Sequence, residues 1–181
     1  ICKVALFEDA DLNAVVAKHW GRLESTTREE KLAEVRRLNN DVRAAEGDVK
    51  SGQAVFKQHC ATCHQLFGEG AKLGPDLTSA NRRDRDFLLI SIVDPSSVIR
   101  KEYVSVIVTT KDGRIFTGLP TAQNEAGITL VNAKNEPMVI PTAEIDELHE
   151  SPVSIMPEDL YKQLTPQDLR DLFAWLQRTE P

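Results

Sequence analysis

Cys60 and Cys63, separated by Ala61 and Thr62 and followed directly by His64, are the residues of this chain whose types and spacing can do chemistry. They form the CxxCH pattern of covalent heme attachment, in which two thiols add to the vinyl groups of a porphyrin and the imidazole binds its iron. The spacing has a geometric cause. On a helical stretch the two cysteines lie about one turn apart on one face, so both sulfurs reach neighbouring edges of a flat ring while His64 follows beneath it. A structural zinc site would need two further ligands at paired spacing, and Cys2, His19, His59 and His149 are scattered. A redox dithiol of the thioredoxin kind follows a strand in a βαβ context, and no such pattern precedes Cys60.

A heme iron used for electron transfer takes a second axial ligand, and the candidates are Met138, Met156, His19, His59 and His149. His59 adjoins the attachment motif and cannot reach the opposite face. Met138 stands in an alternating pattern that favours a core thioether. Met156, held by Pro157 in a loop before the terminal helix, is preferred to His149, and both stay open. On the proximal side, a ligating histidine donates its other ring proton to a carbonyl or carboxylate. In the glycine-rich loop after the motif, the carbonyl of Pro75 is the candidate acceptor. Arg82 or Arg83 could neutralise a heme propionate or simply be solvated.

These residues need elements to hold them. From Ile1 to about Gly47 the periodicity is helical, with Leu12, Val15, Val16 and His19 on one stripe and Leu32, Val35, Leu38 and Val42 on another. Thr27 and Glu30 have capping-box spacing and start the second helix. Asp48 caps a third helix that runs toward the cysteines with Val55 and Phe56 as its apolar face. Gly52 inside that helix suggests a close approach by another backbone or ring. The stretch from Leu66 to Leu77 reads as irregular backbone. Asp84 or Asp86 then caps a helix, apolar on nearly every side, that ends at Pro95.

From Tyr103 the period becomes that of strands. Tyr103 to Thr110, Arg114 to Pro120, Ile128 to Asn132 and Met138 to Ile140 make a four-stranded antiparallel lobe over about residues 103–150, with Asp112 and Gly113 as a hairpin turn. Helix returns at the end. Thr165 as N-cap, Pro166 at the first position and Asp168 in the first turn mark its start.

The 181 residues, 41% of them hydrophobic, suffice for a core, and the net charge of -6 argues against nucleic acid. The basic pairs Arg36–Arg37 and Arg82–Arg83 are interleaved with acids. No apolar run is long enough for a membrane span in this segment. Because the chain begins with Ile1, it is expected to be an excerpt or a processed product.

Gly52 to Phe56, Cys60 to His64, Gly74-Pro75-Asp76-Leu77, Asp94-Pro95-Ser96, Tyr103, Asp112-Gly113 with Gly118, Ser154-Ile155-Met156-Pro157 and Leu172 to Leu176 occur in that order. Together they resemble the planctomycete-type heme-binding domain of the cytochrome c superfamily. The resemblance implies a mainly α, class I cytochrome c fold with a small antiparallel β lobe inserted and an N-terminal helical extension over residues 1–47, the cytochrome domain being residues 48–181. It implies one covalent heme c, His64 and Met156 as axial ligands, Pro75 accepting from His64, and a terminal helix crossing the first heme-domain helix at Gly52, Phe56 and Trp175.

The expected activity is one-electron transfer rather than catalysis by the chain alone, with a redox partner protein or a dehydrogenase domain of the same polypeptide as partner. Phe56 and Arg82 join Cys60, Cys63, His64, Met156 and Pro75 as cofactor-binding candidates. The rival readings are a heme-based ligand sensor and a binding module whose β lobe takes a carbohydrate or protein. Covalent heme attachment implies a periplasmic or otherwise extracytoplasmic location, where Cys2 is an odd thiol, paired elsewhere or free.

Overall fold

The computed structural model describes residues 27–180. Cys2 and the stripe of Leu12, Val15, Val16 and His19 lie outside the described residues. The chain divides into two units after Leu32, inside the first described helix. That helix, α1 (Arg28–Arg43), starts at the expected box: the Glu30 amide donates to Thr27 Oγ1 at 3.2 Å, and Glu30 Oε2 accepts the Thr27 amide at 2.6 Å. Its Val35, Leu38 and Val42 are buried in the core of the second unit.

Helix α2 (Val49–His59) is capped by Asp48, whose Oδ1 accepts the Ser51 amide at 2.7 Å. It crosses the terminal helix α4 (Pro166–Leu176) so closely that a Cβ on Gly52 would lie 1.8 Å from the Asp171 carbonyl oxygen, and one on Gly47 2.2 Å from that of Arg170. The buried Asp171 carboxylate fastens the crossing by accepting the Asp48 amide at 2.7 Å. Helix α4 begins with the expected reciprocal cap between Thr165 and Asp168. Between them, α3 (Arg85–Val93), capped by Asp84, buries Leu88, Leu89 and Val93 but leaves Phe87 and Ile90 exposed, so it is amphipathic rather than interior on all sides.

The strands overturn the expected fold class. The described residues are 40% helical and 22% strand, with a five-stranded and a two-stranded sheet, so this is not a mainly α class I cytochrome fold. The loop read as irregular contains a hairpin of β1 (Gln65–Leu66) and β2 (Glu69–Gly70), turned by Phe67 at φ 51 and Gly68 at φ 84. Two successive positive φ angles are what a two-residue primed turn requires.

The larger sheet holds β3 (Val106–Thr110), β4 (Ile115–Gln123), β5 (Gly127–Val131), β6 (Pro137–Pro141) and a fifth strand, β7 (Ile145–Glu150), in the order β6-β5-β4-β3-β7. The last strand returns to pair antiparallel with the first, Val106 opposite Glu150 and Val108 opposite Leu148. Sequence pattern missed β7 for a physical reason: it is an edge strand with five of its six residues exposed, so it carries no apolar alternation. Val106, Val108, Ile128, Leu130 and Ile140 give the sheet a core separate from that of the helices.

Candidate functional site

Helix α2 ends at His59, and a turn carries the chain through the cysteines, the amides of Cys63 and His64 both donating to the Cys60 carbonyl, at 3.1 and 2.8 Å. Cys60 and Cys63 therefore stay one turn apart, as unpaired thiols, and both are half-buried. Burial, with Cys63 beside it, pushes the Cys60 thiol up to about 12, so it is protonated at neutral pH. The following loop is bonded back onto this turn: Ala71 donates to the Ala61 carbonyl at 2.8 Å and Gly74 to that of Cys63 at 2.7 Å. Lys57 and Gln53 reach Glu69 from α2 and hold the hairpin to that helix.

His64 sits on this loop with Nδ1 3.0 Å from the Pro75 carbonyl oxygen. A carbonyl only accepts, so Nδ1 carries the proton and Nε2 keeps its lone pair. Burial lowers the imidazole's proton affinity, against the opposing Pro75 bond, and keeps it neutral. Gly74 makes this placement possible: a Cβ there would stand 2.7 Å from His64 Cε1 and 2.9 Å from Nδ1.

The other candidates are distributed. Phe56 is fully buried in the helical core near the α2–α4 crossing. Arg82 is buried, with Nη1 donating to the Leu176 and Arg178 carbonyls at 2.5 and 2.6 Å and Nη2 to that of Thr78 at 3.1 Å. It thereby caps the C-terminus of α4, and its guanidinium lies 4.9 Å from the Phe67 ring. A polar cleft of about 280 Å³ beside it is lined by Thr78, Asn81, Arg82, Arg83 and Arg178. Met156 is half-buried in the loop between β7 and a 3-10 stretch at Glu158–Gln163. His149 stands exposed on β7 with Nε2 3.0 Å from Glu147 Oε2. Met138 packs against the sheet's own core.

Two contacts escaped sequence reasoning. Phe67 meets Trp175 edge to face with ring centroids 5.8 Å apart, tying the hairpin turn to α4. Its only local sign was Gly68 directly after it, which reads as a turn but does not mark Phe67 as a packing residue. The second is the serine pair that holds the Met156 loop, described below.

The donor set fits heme c. It offers two free thiols one turn apart, a neutral imidazole with one nitrogen left to give, and a contact at Gly74 that no side chain could share. Trp175 Nε1 and Arg82 Nε are buried without a hydrogen-bond partner, as donors that a carboxylate-bearing cofactor could satisfy. Among the described residues no group of three or more His, Cys, Asp or Glu side chains converges as a metal-ion site, so zinc finds no partners there for the two cysteines.

Comparison with known proteins decides between these chemistries, because the family model for cytochrome c matches residues 49–180. The chain belongs to the cytochrome c family. Its cofactor is accordingly covalently bound heme c with its iron. Over 33 residues it is 58% identical to a cytochrome c of Stellaria longipes, and over the same length 54% identical to cytochromes c of Cochliobolus lunatus and Arabidopsis thaliana. Each match takes in 18% of this chain and 30 to 31% of the relative, so the chain spans about a third of the curated relatives it matches. No helix among the described residues is long and apolar enough to cross a membrane.

Proposed function

We propose that this cytochrome c domain transfers single electrons through one heme c, attached at Cys60 and Cys63, with His64 and Met156 as axial ligands. The observation that carries the reading is the bond from His64 Nδ1 to the Pro75 carbonyl, directly after the two thiols, which leaves Nε2 as the ring's free donor. Heme c supplies an iron that changes oxidation state by one electron, so the protein needs no acid, base or nucleophile. Its own residues bind, orient and exclude water. The Pro75 carbonyl fixes the His64 ring plane and strengthens its donation. Met156 offers a neutral, soft thioether, which raises the reduction potential relative to a second imidazole. His149 is the weaker alternative, because it is exposed on the sheet and engaged with Glu147.

The electron donor and acceptor are a redox partner protein or a dehydrogenase domain on the same polypeptide, and the net charge of -6 would steer a basic one. Covalent heme attachment takes place outside the cytoplasm in bacteria, which supports a periplasmic or other extracytoplasmic location. The deciding test is the oxidised and reduced absorption spectrum of the wild type and of Met156→Ala. The variant is expected to lose the far-red sulfur-to-iron band of the ferric protein and to have a lower midpoint potential; a variant that keeps the band would remove Met156 and leave His149 as the candidate.

A further inference from the structure

The loop that carries Met156 is bonded at three successive places by serine hydroxyls. The Val153 carbonyl accepts from Ser105 Oγ at 3.2 Å and Ser151 Oγ at 3.1 Å. The Ser154 amide donates to Ser96 Oγ at 3.1 Å, a contact across 58 residues of sequence. The Met156 amide donates to Ser154 Oγ at 3.1 Å, which closes a local serine turn over Ile155. Ser96 stands just beyond α3, after the buried Pro95, and its hydroxyl also points at Glu158 at 3.5 Å.

We propose that Ser96 and Ser154 are positioning residues for the thioether of Met156, holding the backbone of residues 154–156 in one conformation so that the sulfur is presented to the iron without a further ordering step. The inference rests on the reading of Met156 as the second axial ligand. A methionine thioether is an uncharged ligand on a side chain with three rotatable bonds. Backbone left free at that point would have to be ordered each time the sulfur binds, and a preorganised loop removes that cost from the bond. The two serines divide the work. Ser96 ties the loop to the helical core, and Ser154 sets the local turn that aims Met156.

The test is an imidazole titration of the ferric, heme-loaded protein, followed at the far-red band, because imidazole competes with the sulfur for the iron. Ser154→Ala and Ser96→Ala each remove one acceptor and are expected to lower the apparent imidazole dissociation constant about fivefold, the factor one hydrogen bond's net worth represents. Ser154→Thr keeps the acceptor and restores the wild-type value. Ser97→Ala is the control, since the Ser97 hydroxyl donates to the Asp94 carbonyl outside the loop.

The urea midpoint of each variant is read alongside. A drop in midpoint with unchanged imidazole affinity would mean that the serines only stabilise the fold, and would overturn the proposal. Met156→Ala separates the two levels of the argument. If it loses the band while Ser96→Ala and Ser154→Ala bind imidazole as the wild type does, the ligand reading stands and the positioning role falls. If it keeps the band, both fall.

Discussion

Gly74 needs no special backbone angle; what it needs is empty space beside the His64 ring. A methyl there would stand 2.7 Å from Cε1, well inside van der Waals contact, and the ring is the group that must yield because the loop backbone is hydrogen-bonded at Ala71 and at Gly74 itself. Gly74→Ala is therefore expected to break the alignment of Nδ1 with the Pro75 carbonyl. The Nδ1 proton, measured by NMR, should exchange about fivefold to tenfold faster, in keeping with the net worth of one such bond. Unchanged exchange would mean that the pocket can absorb a methyl and that Gly74 has no part in orienting the ring. At this scale the site was legible where its contacts are short in sequence: His64 and Pro75 are eleven apart, and the thiols and the imidazole are contiguous. The bond between Ser96 and Ser154 was not, because nothing in a serine's local pattern tells which distant amide it will accept.

Helix boundaries were legible for the same reason, since caps are local chemistry: Thr27 with Glu30, Asp48 with Ser51 and Thr165 with Asp168 all close within a turn. Gly52 was legible as a close approach, and its partner backbone is that of Asp171. Two opposite effects bear on Gly52→Ala. Alanine gains about 1 kcal/mol of helix propensity over glycine. The new Cβ, however, would sit 1.8 Å from a carbonyl oxygen and 2.9 Å from Trp175 Cβ, neither of them the end of a flexible side chain. Relieving that overlap means parting α2 from α4, at a cost of about 3 kcal/mol that outweighs the propensity gain. Urea denaturation should show a lower midpoint for Gly52→Ala; a higher one would show that the crossing is looser than described. The strands were less legible than the helices, because an exposed edge such as β7 buries too little to leave a period, and because Phe67 and Gly68 make a turn from residues that otherwise read as plain loop.

Across the whole molecule, the helices and the large sheet keep separate hydrophobic cores, and the chain leaves and re-enters the helical part at one point. The Ser151 amide donates to the Ser105 carbonyl at 2.8 Å, and the pair Val106–Glu150 lies directly beyond it. The expected proportions were wrong because a sheet read as four strands turned out to have five, with a second hairpin in the heme loop. That the two ends meet has a consequence for engineering. Two antiparallel ends at that separation are what a two-residue turn joins, so residues 106–150 can be replaced by Asn-Gly without moving either end. Ser105 and Ser151 both remain in such a chain, and with them the bonds to the Val153 carbonyl. The shortened protein should attach heme, keep the far-red band and keep its helical circular dichroism, while the strand contribution falls. Its unfolding free energy from urea titration should stay within about 1 kcal/mol of the parent's, as for structural units with no shared core. Loss of heme attachment or of the helical spectrum would show instead that the sheet is part of the scaffold that forms the site. If heme attaches but the far-red band is lost, the sheet acts on the Met156 loop alone, and the connection at Ser105 and Ser151 becomes the place to look for that coupling.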